Sequence, residues 1–337
     1  MFSSAAALLS TPSVQGARLS ASFAQPRLMH RLAGQTMGTQ WEVRLVGAPS
    51  APLALLRERI EAALDLVVAQ MSNWDAASDL SRFNAAPAGQ WCELPAELFE
   101  VVCHGLDLAR RSGGSYDPSV GTLVALWGFG PAQRRNVAPT DDEIAQAMAR
   151  TGWHRLQIDA ARRRLYQPGG VALDLSGIAK GYAVDLISRE LAAAGFGDTL
   201  VEIGGELTAR GMRSDGQPWR VAVDALCSAD APALSVKLHG AIATSGDAFH
   251  AFVSDGQRHS HTIDPRSGRT VSDTLASVTV VHEHCMHADA LATALTVLGA
   301  DEGYQYACRH GLAAAFVRRG QAGHEYLLTD AFAALLA

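Results

Sequence analysis

The sequence predicts an α+β protein, and two observations carry that reading. Segments with strand alternation and segments with helical spacing interleave along the 337 residues, without a strict strand–helix–strand repeat. Composition adds the second: 48% hydrophobic and 18% charged residues, with no low-complexity tract, describe an ordered chain. Its length suits one large domain or two closely joined lobes.

In chain order, residues 1 to about 30 are rich in Ala and Ser and are predicted to be disordered or processed, leaving 31–337 as the folded domain. This segment has no basic n-region, a short apolar core at Ala5–Leu9 and no cysteine for lipid attachment, which makes a poor secretion signal. Gln40–Val46 alternates as a strand after the loop Thr36–Thr39. Ala54–Met71 carries apolar residues at helical spacing and ends in the polar loop Met71–Asp75, which contains Trp74. Pro95–Arg111 is a second helix, stopped by Gly113-Gly114. Thr140 caps a short helix with acids in its first turn.

Leu156–Gln167 reads as a hairpin leading into a short strand, Val171–Leu175. The turn Ser176-Gly177 and a helix, Ile178–Ala193, follow. Strands are predicted at Thr199–Ile203, Arg220–Val223, Leu234–Leu238 and Ser277–His282. Helices at Ala288–Leu298, capped by Gly299, and Asp301–His310 precede strands Ala313–Val317 and Glu325–Leu328.

A formal charge of -6 gives no general attraction to nucleic acid, so a polyanionic ligand needs local groups to hold it. Five dispersed cysteines without a CxxC argue against a disulfide framework and a zinc site. No apolar run reaches the roughly 18 residues of a membrane span.

The stretch LDLSGIAKGYAVDLIS, Leu173–Ser188, is the centre of the chemical reading. Gly177 and Gly181 allow close backbone approach, and Lys180 puts a cation in the first helical turn. Exposed N–H groups with a lysine suit a phosphate, and the competing reading is a plain turn with a solvated lysine. Asp289 and Thr293 lie four apart on one helix face and suit a hard, oxygen-liganded cation; the alternative is a helix-start acid and a packing residue.

In RHSHTIDPRSGR, His259 and His261 would share a face if the segment is a strand, and a histidine there could act as a base near neutral pH. His282, His284 and His287 form a second loose group, read as solvated. Trp74, Tyr116 and Trp127 sit in loops, where an aromatic either stacks on a planar ring or packs in a core. Ile203–Glu206 is a strand end with a double glycine and an acid. In ATSGD, Ser245 or Asp247 is a candidate helix cap.

Taken in order, TMGTQWEVR, MSNWDAASDLSRFNA, GGSYDPSVGTLVALWGFG, LDLSGIAKGYAVD, EIGGELTARG, ATSGDAF, HSHTIDPRSGR and ADALATALTVLG resemble the ApbE-type flavin transferases, across about residues 36–299. The resemblance implies a two-lobed α+β fold with mixed and antiparallel sheets and an FAD site between the lobes. It implies an Mg²⁺-dependent FAD:protein FMN transferase: a Thr or Ser of an acceptor flavoprotein attacks the FMN-side phosphorus, and AMP leaves.

By that similarity Asp289, Thr293 and the Gly177 carbonyl hold the metal, and Lys180 lies against the FAD phosphates. Met37, Trp74, Ser115, Tyr116 and Asp117 line the FAD pocket. His261 is the base toward the acceptor hydroxyl, with Asp264 orienting it or the local turn. Trp74 and Tyr116 each replace the residue common in the family while keeping an apolar ring face. The resemblance implies a periplasmic or inner-membrane-associated enzyme, whereas the N-terminus favours the cytoplasm. Two other functions stay open: a metal-dependent FAD pyrophosphatase, and a non-catalytic FAD-binding protein. Oxygen ligands accept Mn²⁺ as well as Mg²⁺.

Overall fold

Eight strands hydrogen-bond in strict chain order into one antiparallel sheet: Leu28–Thr36, Thr39–Gly47, Thr199–Ile203, Glu206–Arg210, Gly240–Gly246, Leu275–His282, Ala313–Gly320 and Gly323–Leu328. The computed structural model describes residues 27–131, 135–223, 234–246, 251–320 and 323–336. Eight helices occur among them: α1 (Leu53–Met71), α2 (Asp79–Asn84), α3 (Ala96–Arg111), α4 (Gly121–Leu126), α5 (Asp141–Met148), α6 (Ala179–Ala193), α7 (Cys285–Arg309) and α8 (Asp330–Ala333).

Alternation along the strands sends side chains to opposite faces. Trp41, Val43, Ala241, Ala243, Ala314 and Phe316 enter the large core beneath α1, α6 and α7. Leu200, Leu207, Ile242 and Ala315 face the other way. They are covered by Trp219, by the hairpin Arg220–Val223/Leu234–Lys237 and by Phe332 of α8. A smaller core gathers Leu123, Trp127, Ile144, Ala147 and Ile263 around α4 and α5. Segregated helices on an antiparallel sheet make this an α+β fold, as the sequence predicts.

Several local expectations need correction. The first strand begins at Leu28, so the boundary set near residue 30 falls inside it; pairing with Thr39–Gly47 supplies the order that its own composition does not advertise. Val171–Leu175 is not a strand. Only Ala172 bridges, to Val120, while both backbone groups of Leu173 bond the Asn84 amide and the Asp174 N–H donates to the Pro118 carbonyl. The apolar alternation there reflects burial without a ladder partner.

Ser245 lies within the strand Gly240–Gly246 and caps nothing; Asp247 is outside the described residues. The strand Gln257–Ser260 stops before His261, so the two histidines do not share one strand. The remaining punctuation holds. Thr140 and Glu143 form a reciprocal capping box. Gly299, with φ 81°, breaks α7 at the boundary the sequence marks between two helices.

Sheet order decides where the ligand-facing residues meet. In an antiparallel meander, alternate connections emerge at the same end. The first turn carries Met37, the third precedes Glu206 and the fifth carries His261, so all three belong to one end of the sheet. A Cβ on Gly204 would lie 2.8 Å from Thr39, which shows that the first and third turns touch. Helix α7 starts at the opposite end, after His282, and runs back until Thr296 shares a cavity of about 10 Å³ with Gly246, Ser277, Ser260 and Thr262. That brings the flanks of His261 to within one helical turn of Thr293 along α7.

Candidate active site

The geometry is built on the contact between the start of α6 and α7. Gly181 donates its N–H to Asp289 Oδ2 at 3.0 Å. A Cβ on Gly181 would lie 2.4 Å from the Cys285 carbonyl oxygen, and one on Gly177 would lie 2.8 Å from Thr293 Oγ1. The two glycines therefore let the α6 turn close on α7, bringing Gly177, Thr293 and Asp289 together. Asp185 holds the junction from below, accepting the Cys285 and Met286 N–H groups at 2.9 and 3.0 Å. Sequence reasoning missed Asp185, although an acid among Ala183, Val184 and Ile187 on a buried helix face was a readable signal.

Lys180 is not a free cation aimed at solvent. Its ammonium pairs with Glu206, a carboxylate that is 2% exposed. Burial works against the Lys180 charge, but Glu206 and Asp289 outweigh it and raise its pKa. Burial, then repulsion from Asp289, pushes the Glu206 carboxyl up against the pull of Lys180. Asp289 is likewise raised by burial, opposed by Lys180 and the Gly181 amide. One ammonium is thus shared between two buried acids and compensates only one of them.

Two buried acids facing one ammonium, with the Thr293 hydroxyl and the Gly177 backbone beside them, fit a hard cation, whose charge would favour the ionised form of both. Among the described residues, no three His, Cys, Asp or Glu side chains gather as a ready metal cluster. The donor set here is instead one carboxylate, a hydroxyl and backbone, which leaves positions for phosphate oxygens and water.

Ser115, Tyr116 and Asp117 are all buried, but they differ in use. Ser115 Oγ and Tyr116 OH have no hydrogen-bond partner, an uncommon state for buried hydroxyls. Burial, then the nearby charges of Asp289, Asp174 and Asp117, raises the Tyr116 phenol far above its usual range, which puts this turn beside the α6–α7 junction. Asp117 accepts from Ser119 N and Oγ at one oxygen and from Trp153 N at the other, which ties its turn to the segment at Trp153. Its carboxylate organises the turn.

Asn73 donates to Asp174 Oδ2 at 2.7 Å, tying the Trp74 loop to the turn before α6. Trp74 itself is 69% exposed, an indole face open to a planar ring. Trp127 is buried instead, its Nε1 donating to the Gly268 carbonyl, so it packs the smaller core. Met37 occupies a two-residue turn with φ 48°, followed by Gly38 at φ 73°. Two-residue hairpin turns of this kind require positive φ at both positions, so the hairpin itself holds Met37 there.

His261 is half-buried beside Phe129, with ring centroids 6.4 Å apart. His259 is buried against Trp127 and Phe252 at 5.1 Å each, with Nδ1 3.2 Å from Thr270 Oγ1. Asp264 binds the Arg266 backbone and guanidinium within its own turn. His282, His284 and His287, read as solvated, instead form a ring-to-ring cluster that also includes His104.

The sequence and the fold both have counterparts among known proteins. The sequence model described as ApbE family matches residues 37–316. The chain belongs to the ApbE family. It is 38% identical over 282 residues to a protein of Vibrio cholerae serotype O1 named FAD:protein FMN transferase, covering 83% of this chain and 84% of the relative. An Escherichia coli K12 protein of the same name is 34% identical over 288 residues, covering 84% and 82%. The solved apo structure of Pseudomonas stutzeri flavinyl transferase ApbE superposes with a TM-score of 0.86 at 40% identity, over 92% of this chain and 97% of that one.

Proposed function

We propose that this chain is a transferase of the FAD:protein FMN type, Mg²⁺-dependent, which attaches FMN through a phosphoester to a Thr or Ser of an acceptor flavoprotein and releases AMP. The observation that carries this reading is the buried junction where Asp289, Thr293 and Gly177 meet, with Lys180 shared between Asp289 and Glu206. Asp289, Thr293 and the Gly177 carbonyl would hold the cation, which supplies neutralisation of charge on the pyrophosphate. Lys180 binds the same phosphates. It is oriented by Glu206 and so loses little freedom when it does.

The flavin end is read by Trp74, by Met37 in its constrained turn, and by Ser115 and Tyr116, whose unpartnered hydroxyls offer bonds to a polar ligand. The acceptor hydroxyl forms a P–O bond to the FMN phosphorus while the P–O bond to the AMP side breaks. Its proton passes to His261, a residue type suited to take it near neutral pH. We infer a periplasmic or inner-membrane-associated enzyme, a reading supported by the family resemblance, with the cytoplasm as the alternative; cell fractionation tests the two. Among the described residues no helix is long and apolar enough to cross a membrane.

The test is the intact mass of an acceptor domain after incubation with this protein, FAD and Mg²⁺, beside an Asp289→Ala variant. The expected gain is one FMN phosphoester, absent without metal and in the variant. Free FMN and AMP with unmodified acceptors would replace transfer by FAD hydrolysis. FAD binding without turnover would sink both, and replacing Mg²⁺ by Mn²⁺ measures the metal preference.

A further inference from the structure

At the end of the sheet where α7 begins, four imidazoles from two parts of the chain meet. His282 ends the sixth strand, His284 caps α7, His287 lies in its first turn, and His104 reaches over from α3. The His287 ring stands 4.9 Å from His104, 4.9 Å from His282 and 5.6 Å from His284, centroid to centroid. His287 Nε2 and His104 Nδ1 lie 3.3 Å apart. Two imidazole nitrogens bound tetrahedrally at 2.0–2.1 Å from one zinc-sized ion stand about 3.3–3.4 Å from each other. The pair is therefore already spaced as one edge of such a site.

We propose that His104, His287 and His284 form a second metal site, for a borderline transition cation of the Zn²⁺ class, separate from the oxygen-rich site at Asp289. The third ligand is His284 because His282 is already engaged: its Nδ1 accepts the His284 N–H at 3.1 Å, so its proton sits on Nε2. His284 is exposed and turns inward by side-chain rotation, since no three side chains are gathered in advance among the described residues. Water or a released His282 takes the fourth position. On binding, whichever ring donates in the His104–His287 hydrogen bond moves that proton to its other nitrogen, so no net proton is lost from the pair. Imidazole nitrogens select Zn²⁺-like ions over Mg²⁺, which takes oxygen. The bound ion would tie α3 to the start of the helix that carries Asp289 and Thr293.

The experiment uses untagged full-length protein with Co²⁺ as the probe and excess Mg²⁺ kept present to hold the oxygen site. The expected result is one equivalent of Co²⁺ with the intense visible bands of tetrahedral coordination, abolished by added Zn²⁺. In His104→Ala and in His284→Ala the Co²⁺ affinity should fall more than about tenfold. Neither residue is part of the FAD site, and folding of each variant is checked by its melting curve. Zn²⁺ should raise the melting temperature of the unaltered protein and not of the His104→Ala variant. Only weak octahedral bands, or bands of unchanged strength in both variants, would overturn the site. Neither result touches the FMN-transfer reading, which the acceptor mass tests independently.

Discussion

Lys180 shows how one side chain sets the balance of a site. It faces two buried acids, and replacing it by Met leaves Glu206 without a partner in a dry setting. An uncompensated buried charge would cost about 3–5 kcal/mol, but the raised Glu206 carboxyl can take up a proton instead, so the loss should stay below about 3 kcal/mol. Urea unfolding of metal-free Lys180→Met at neutral pH checks this.

The pH dependence follows from Glu206. Its folded pKa is raised above the usual 4.5, so its contribution to stability is fully present below that value and is lost as pH rises through the folded value. The metal-free protein should therefore lose stability as pH rises from 4.5 toward and past neutrality. Mg²⁺ should reduce that loss, because a cation supplies the missing positive charge. A urea midpoint that rises steadily over that range, with and without Mg²⁺, would contradict the assignment. Lys180 and Asp289 were legible in the sequence as a cation and a candidate ligand; their sharing of charge with Glu206 was not, because pairing across three elements leaves no spacing signal.

At the scale of elements, the two glycines of the α6 turn separate packing from chemistry. The group nearest a Cβ on Gly181 is the backbone carbonyl of Cys285, which cannot rotate away. Gly181→Ala should therefore force α6 off α7 and cost about 1–3 kcal/mol in unfolding experiments. The nearest group to a Cβ on Gly177 is the Thr293 hydroxyl, which can turn aside. Gly177→Ala should spare most of the stability yet weaken Mg²⁺ by about tenfold, roughly 1.4 kcal/mol, measured by titration calorimetry. Asp185→Asn tests the other side of the junction. An amide offers one acceptor where two N–H groups need bonds, so about 1–3 kcal/mol should be lost in the melting or urea curve. Helix limits such as the capping box at Thr140 and the break at Gly299 were legible because they are local. The segment Val171–Leu175 was misread because its carbonyls and amides are satisfied by Asn84 and Pro118, residues remote in sequence.

At the scale of the molecule, the sheet is a meander, and the connections between its strands carry the site. Binding of FAD with Mg²⁺ should slow amide exchange in segments far apart in sequence: residues 37–38, 72–75, 115–117, 176–181, 204–206, 258–264 and 289–293. The hairpin Arg220–Val223/Leu234–Lys237, on the opposite face, should exchange as before. Protection confined to one of these segments would mean that the site is not assembled as described. The ligands should also raise overall stability, by about 2.7 kcal/mol at a hundredfold excess over Kd.

The α+β class, most of the elements and the family could be read from residues alone, because alternation, helical spacing, caps and ordered motifs are properties of short stretches. What the tertiary structure decided was who stands beside whom. It ordered the strands, tied Asp117 to Trp153, buried Trp127 while leaving Trp74 open, paired Lys180 with Glu206, and brought His104 onto the histidines at the start of α7. These outcomes depend on contacts between residues tens to hundreds of positions apart. Such contacts form only when burial of the shared core brings their elements together, so no short window of sequence contains them.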